Sequence, residues 1–204
     1  AAGAHGVAFP AMASEFYALT DEERVHLTNV MVEEVGGAVP VVGTASAASP
    51  QAAAAMATAV EDAGVDAIMV MPPYVVREPM PAVTRLFESL ASALSTPLMV
   101  QNAPPHLGSA FSVDAVAKLL SDIPAIRYVK EEVMPGGQRM SRLLEAAPAT
   151  LEGVFGGAGG RTIVDELERG AAGAMPACEL TEVHVAIWNA HQRGDVARAR
   201  ELYE

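Results

Sequence analysis

The stretch VPVVGTASAASPQAAAAMATAVEDAGVDAIMVMP (residues 39–72) decides the fold. It opens with an apolar run over residues 39–45. Ser49-Pro50 follows, a hydroxyl residue and then a proline at the position where a helix tolerates one, because that N–H has no partner anyway. An alanine-rich segment runs on to Ala63-Gly64-Val65, a tight helix-to-strand turn, and a second apolar run fills residues 66–72. Both runs are continuously apolar, not alternating, which marks parallel strands covered on both faces. The unit is strand–helix–strand.

The same unit repeats in both directions. Apolar stretches with strand character occupy residues 6–12, 39–45, 66–72, 97–103, 126–131, 151–156 and 171–177. The segments between them read as helices. Thr20-Asp21-Glu22-Glu23 is a capping box, with Val25, Thr28, Val32 and Val35 following on one face. Ser112 opens another helix with Asp114 in its first turn. Gly36-Gly37, Gly64 and Gly170 stand where helices should stop. Seven repeats predict an α/β fold, the (β/α)8 TIM barrel. A doubly wound sheet would require a glycine-rich phosphate loop after the first strand, and the sequence has none there. The chain has 204 residues, against about 250 for a typical barrel. Its opening AAGAHG reads as a helix end entering a strand, and its closing RELYE lies within a helix. The expectation is one barrel domain over residues 1–204, lacking its first strand and its C-terminal helices.

Composition narrows the function classes. Hydrophobic residues make up 51% and charged residues 19%, so a packed core is available. Asp and Glu number 25 against 13 Lys and Arg, a net charge of −12 with no basic run. Nucleic acid and anionic membrane surfaces are disfavoured as partners. A single cysteine, Cys178, excludes an intramolecular disulfide and fits a reducing cytosol. Neither a membrane-length apolar run nor a leader-like opening is seen, so the expected location is cytoplasmic.

Barrel chemistry sits at the C-terminal ends of strands. Those ends carry Ser14 and Glu15; Thr44 and Ser46; Tyr74; Gln101 and Asn102; Lys130 with Glu131 and Glu132; GGAGG at residues 156–160, including Gly157; and Cys178 with Glu179. Only two lysines occur, Lys118 and Lys130. Lys118 follows Asp114 by four residues, a surface pair on a helix. Lys130 ends an apolar strand, which points its amine toward the mouth. Partial desolvation disfavours the ammonium form, and a neutral amine attacks a ketone to give a Schiff base. The alternative for Lys130 is a simple pair with Glu131 or Glu132.

These residues resemble a known family, the dihydrodipicolinate synthase / N-acetylneuraminate lyase family of class I Schiff-base lyases. Tyr128-Val129-Lys130-Glu131 is similar to its Schiff-base strand. Ser14-Glu15 followed by Leu19-Thr20-Asp21-Glu22-Glu23-Arg24 resembles its first turn and helix start. Met71-Pro72-Pro73-Tyr74, and Asn102-Ala103-Pro104 followed by Gly108, resemble two further elements. The resemblance implies a 2-keto acid substrate, no metal or external cofactor, and a homotetramer. It also implies Lys130 as nucleophile.

The chain departs from the family's synthases at four places. The paired threonines that take a carboxylate correspond to Met12 and Ala13, the proton-relaying tyrosine to Gln101, and a carboxylate-binding arginine to His106. These departures point away from dihydrodipicolinate synthesis. Met99-Val100-Gln101-Asn102-Ala103-Pro104 resembles instead the 2-keto-3-deoxy-L-arabonate dehydratase branch, which carries a glutamate matching Glu132. The expected activity is dehydration of a 2-keto-3-deoxy sugar acid. Aldol cleavage, condensation with pyruvate, or non-catalytic binding of a small acid are the alternatives. The expected catalytic residues are Lys130, Gln101, Glu15 and Glu132, with either carboxylate as acid or base. Ser14, Thr44, Ser46, Tyr74, Asn102 and Gly157 are expected to bind substrate, Ser14 and Thr44 at its carboxylate.

The remaining features have plainer readings. His184 and His191 are expected to pack on a helix, Cys178 to be a small buried residue, and Glu179 to act as a helix cap or a supporting acid. The glycines of 156–160 would either cradle a phosphate or leave room for a substrate chain.

Overall fold

Residues 2–107 and 110–204 are described by a computed structural model. Seven strands alternate with helices in chain order: β1 (Val7–Phe9), α1 (Asp21–Val35), β2 (Val41–Thr44), α2 (Pro50–Asp62), β3 (Ala67–Val70), α3 (Met80–Ala93), β4 (Leu98–Asn102) and α4 (Val113–Asp122). Then come β5 (Ile126–Glu131), α5 (Gly136–Ala146), β6 (Gly153–Gly156), α6 (Ile163–Glu168), β7 (Gly173–Ala174), α7 (Thr181–Gln192) and α8 (Val196–Tyr203). Each strand falls inside one of the seven apolar stretches.

All ladders are parallel and the strand order is β1 to β7, so every strand neighbours the next one in sequence. The sheet is curled. Among the described residues no ladder joins β7 to β1, so the sheet is open there and a closed eight-stranded barrel is not formed.

The helix starts follow their local chemistry. The Glu23 N–H donates to Thr20 Oγ1 at 3.2 Å while the Thr20 N–H donates to Glu23 Oε2 at 2.8 Å, a reciprocal cap. Ser49 and Ser112 cap α2 and α4 through the Ala52 and Ala115 N–H groups. Gly36 ends α1 in the left-handed region, at φ 55°, which costs glycine nothing.

The strand faces divide the labour. Ile68, Val70, Leu98, Val100, Ile126, Val129 and Val154 face the helices and form one core with Val83, Leu86, Phe87, Leu119, Leu120, Met140 and Leu143. Truncating such a side chain to alanine costs about 2–5 kcal/mol. The alternate residues of β4 and β5, Met99, Gln101, Tyr128 and Lys130, take the other face. Above the strand ends a smaller cluster of Phe16, Met71 and Ala103 is packed by Met12, Tyr74 and Leu107. Helix α1 differs from its sequence reading. Val25, Val32 and Val35 are only partly buried against the core, and the buried residues are Thr28 and Arg24.

Candidate active site

The site is built where β4, β5 and β6 end. Gln101 on β4, Lys130 on β5 and Phe155 on β6 are register partners, so strand geometry alone sets Gln101 and Lys130 side by side. Lys130 is 7% exposed, and its Nζ lies 3.2 Å from Glu132 Oε1. Gln101 Nε2 donates to the other oxygen, Glu132 Oε2, at 2.7 Å. The Ala158 N–H donates to Glu132 Oε1 at 2.9 Å. One carboxylate thus gathers an ammonium, an amide and a backbone N–H from three successive strand ends. Lys130 is thus buried at a strand end and also paired with Glu132.

In the GGAGG loop the space beside Gly157 is occupied by a side chain of the chain itself. A Cβ there would collide with the Glu132 carboxylate. A Cβ at Gly156 would collide with Glu166, and one at Gly160 would come within 2.5 Å of His184 Nε2. The space these glycines leave is filled by side chains of the chain itself. Ala158 adopts a left-handed φ of 50°, unusual for a residue with a Cβ. That conformation belongs to the turn that presents its N–H to Glu132.

Asn102 is placed differently from expectation. It is fully buried and pairs in register with Glu131, one residue out of phase with Lys130. Its Nδ2 donates to Glu131 Oε2 at 2.8 Å and to the Phe111 carbonyl at 3.2 Å, and its Oδ1 accepts from the Phe111 N–H at 2.9 Å. Arg139 Nε completes the network on Glu131 Oε1 at 3.1 Å. These bonds consume the Asn102 amide, so its role is to fix Phe111 and the β5 end. The match at Gly108 lies outside the described residues.

The β1–β2 side carries the hydroxyls. Thr44 Oγ1 donates to the Pro10 carbonyl. A hydroxyl has one proton, so Thr44 has none left to give a substrate carboxylate. Ser46 Oγ accepts from the Met71 N–H at 2.9 Å, which leaves its own proton available. Ser14 Oγ accepts from the Ala11 N–H at 3.5 Å and is half-buried. Tyr74 stands edge-on to Phe16, with ring centroids 5.8 Å apart. Glu15 is exposed in a left-handed conformation, φ 51°, and among the described residues no bond or ion pair joins it to Lys130, Gln101 or Glu132. Of the two candidate carboxylates, Glu132 is the one brought to the lysine.

Other expectations are corrected by packing. Lys118 pairs with Asp122, at 2.9 Å, not with Asp114, which reaches toward Arg142 instead. Cys178 and Glu179 are exposed, and α7 has no side-chain cap from Glu179. His184 and His191 pack half-buried on α7, each with a buried Nδ1 that has no partner among the described residues. Burial pushes the His184 imidazolium down, with Glu179 opposing.

Two buried charged residues were missed by sequence reading. Arg24 was read only as part of a helix start. Glu166 was not singled out at all. It is 3% exposed, takes a hydrogen bond from Thr162 Oγ1 at 2.7 Å and has an Oε2 with no partner among the described residues. Burial is the main cause that raises its pKa, Thr162 opposes, and Asp165, Glu132 and Glu131 add smaller upward contributions. Glu166 lies between Gly136 and Gly156, so those glycines were the only available signal.

A curled parallel sheet with a buried lysine at one strand end, paired to a carboxylate, defines a β/α protein with a strand-end lysine centre. A model of the dihydrodipicolinate synthetase family matches residues 1–204, and the chain belongs to that family, whose members are class I lyases. It is 33% identical over 177 residues to an L-2-keto-3-deoxyarabonate dehydratase of Azospirillum brasilense, covering 85% of this chain and 57% of that protein. It is 31% identical over 209 residues to a 4-hydroxy-tetrahydrodipicolinate synthase of Methanopyrus kandleri, covering 99% and 67%. The chain therefore spans only part of the length of its relatives. A prophage protein of the dihydrodipicolinic acid synthase family from E. coli K12, solved in complex with pyruvate, shares the fold. Its TM-score is 0.92 at 24% identity, over 99% of this chain and 68% of that one. No helix among the described residues is long and apolar enough to cross a membrane.

Proposed function

We propose that this chain carries the centre of a Schiff-base hydro-lyase that dehydrates a 2-keto-3-deoxy sugar acid. The observation that carries the reading is the Glu132 carboxylate bridging Lys130 and Gln101. Lys130 attacks the C2 ketone as the free amine, and loss of water from the carbinolamine gives an iminium. The Lys130 proton has an acceptor 3.2 Å away in Glu132. The iminium draws electrons from C3, Glu132 removes a C3 proton, and the enamine expels the C4 hydroxyl as water. The conjugated iminium loses a C5 proton and regains one at C3, the C4=C5 enol becomes the aldehyde, and hydrolysis of the imine returns Lys130.

Gln101 supports dehydration over bond cleavage. Retro-aldol cleavage needs a group that takes the C4 hydroxyl proton. An amide donates and accepts hydrogen bonds but does not ionise in the useful range. Dehydration needs that oxygen protonated, which the acid form of Glu132 or solvent supplies after C3 deprotonation. The relatives' names support the same choice only in part, since one is a dehydratase and the other a synthase. The substrate class is a small keto acid, as for the family, whose members are typically oligomeric; we take a homotetramer as the assembly and the cytoplasm as its location.

Two measurements test the reading. Borohydride reduction in the presence of pyruvate should leave an adduct on Lys130 and none on Lys118, read by peptide mapping. A 2-keto-3-deoxypentonate should give the semialdehyde faster than pyruvate in coupled assays. Pyruvate as the main product would reassign the chain to aldol cleavage. Absence of any adduct with every keto acid tried would leave a binder of small acids.

A further inference from the structure

Arg24 is 4% exposed on α1, beneath the loops that follow β1 and β2. Its guanidinium carbon lies 4.9 Å from the centroid of the Phe16 ring, a cation over an aromatic face. One Nη donates to the Thr44 carbonyl at 3.3 Å and to the Ser46 carbonyl at 2.9 Å. The other reaches Asp21 at 3.5 Å, but the Asp21 side chain is 78% exposed, so this is a weak surface contact. Nε has no partner among the described residues.

A methionine or leucine would fill this space without the cost of removing a charge from water. The guanidinium is there instead, spending its hydrogen bonds on main-chain carbonyls. Phe16, which it underlies, is two residues beyond Ser14 and packs with Met71 and Ala103. The carbonyls it holds belong to Thr44 and Ser46. A trans peptide sets its C=O and N–H in opposite directions. Drawing the Ser46 carbonyl onto Arg24 therefore turns the Ala47 N–H away from it.

We infer that Arg24 is a positioning residue for recognition of the substrate carboxylate, acting through the loops that carry Ser14 and Ser46. The inference rests on the Schiff-base reading of Lys130. One Arg24 Nη holds the loop after β2 by two carbonyls while the guanidinium face backs Phe16 of the loop after β1, which puts a weakly neutralised positive charge beneath both. Burial pushes its pKa down, yet a guanidinium stays charged in a protein. In a chain of net charge −12, that charge favours an anion on the β1–β2 side of the mouth, opposite Glu132.

The test uses two ketone probes on the full chain: pyruvate, which has a carboxylate, and hydroxyacetone, which has none. Borohydride-trapped adduct on Lys130 is measured by intact mass against probe concentration, and folding is checked by thermal melting. In Arg24→Met the pyruvate concentration for half-maximal trapping should rise about tenfold, with hydroxyacetone trapping unchanged. Arg24→Lys, which keeps charge but loses the fork, should show a smaller rise, and so should Phe16→Leu. If Arg24→Met does not fold, those two variants decide the matter. Unaltered pyruvate trapping would overturn the inference, and so would equal loss of both probes in a folded variant. If the unaltered chain is trapped by neither probe, the Schiff-base reading itself fails, a result distinct from either of these.

Discussion

Gly157 and Glu132 share one volume: the side chain that Gly157 lacks would stand where the Glu132 carboxylate stands. Glu132 in turn is the partner of both the Lys130 amine and the Gln101 amide. The position of the β6 loop therefore sets the position of the acid at the β5 end. Gly157→Ala should displace Glu132, break its bond from Ala158 and lower kcat by about 10²-fold or more, the usual worth of a placed acid–base group. The stability cost should stay within about 1–3 kcal/mol. Steady-state assays and thermal melting measure the two, and a fully active Gly157→Ala would show that Glu132 is not needed where it lies.

Glu132→Gln separates proton transfer from covalent attachment. The amide keeps the shape and one acceptor but does not take a proton. Turnover of a 2-keto-3-deoxypentonate should fall about 10²–10⁴-fold, while pyruvate with borohydride should still mark Lys130. Loss of the adduct along with turnover would move the role of Glu132 to the amine-activation step.

Glu166 should make stability depend on pH. Its pKa is raised above the ordinary glutamate value of 4.5, chiefly by burial. Below that value both folded and unfolded chains hold the proton, and the group costs nothing. As the pH climbs past it, the unfolded chain ionises first, so this group lowers stability until the folded pKa is reached. Glu166→Gln keeps an acceptor for Thr162 and removes the charge. Its Tm should exceed that of the unaltered chain by an amount that grows from pH 4 toward neutrality. A pH-independent difference would show that Glu166 ionises in the folded chain as it does in water.

Asn102→Asp should damage the fold more than the chemistry. The substitution sets a carboxylate where Nδ2 now donates to Glu131 Oε2 at 2.8 Å. An unpaired buried group of this kind costs about 3 kcal/mol, which for a chain of this size is roughly 6–12 °C in Tm. Melting followed by circular dichroism should show the loss shrinking at acid pH, where one carboxyl takes a proton.

The strands were legible because parallel strands buried on both faces leave continuous apolar runs. The caps at Thr20, Ser49 and Ser112 were legible because each is a local bond between residues three apart. Lys130 with Gln101 and Glu132 could be picked out because strand-end position and family likeness converge on them. Asn102 was picked out with them, but its face was not legible, because a shift of one residue along a strand reverses the face, and the bulge between Leu98 and Met99 alters the register opposite β5. The choice between Glu15 and Glu132 depended on where a turn directs its side chain, which spacing does not encode. Arg24 and Glu166 were missed because sequence patterns expect charged residues on wet surfaces. Their burial depends on partners 20 or more residues away for Arg24 and on glycines of two other elements for Glu166.

The use of the Ala158 N–H by Glu132 has a directional consequence. A glycine-rich turn after a strand ordinarily offers its amides to an incoming anion. Here the Ala158 N–H is already taken by an internal carboxylate, so it is not free for a second negative charge. On the proposed reading, a keto acid would find no free amide at Ala158, and its carboxylate would be left to the side that carries Ser14 and Ser46. Its C3–C4 segment would then lie toward Glu132 and Gln101. The turn that fixes the acid would in that way also select which end of the substrate meets it.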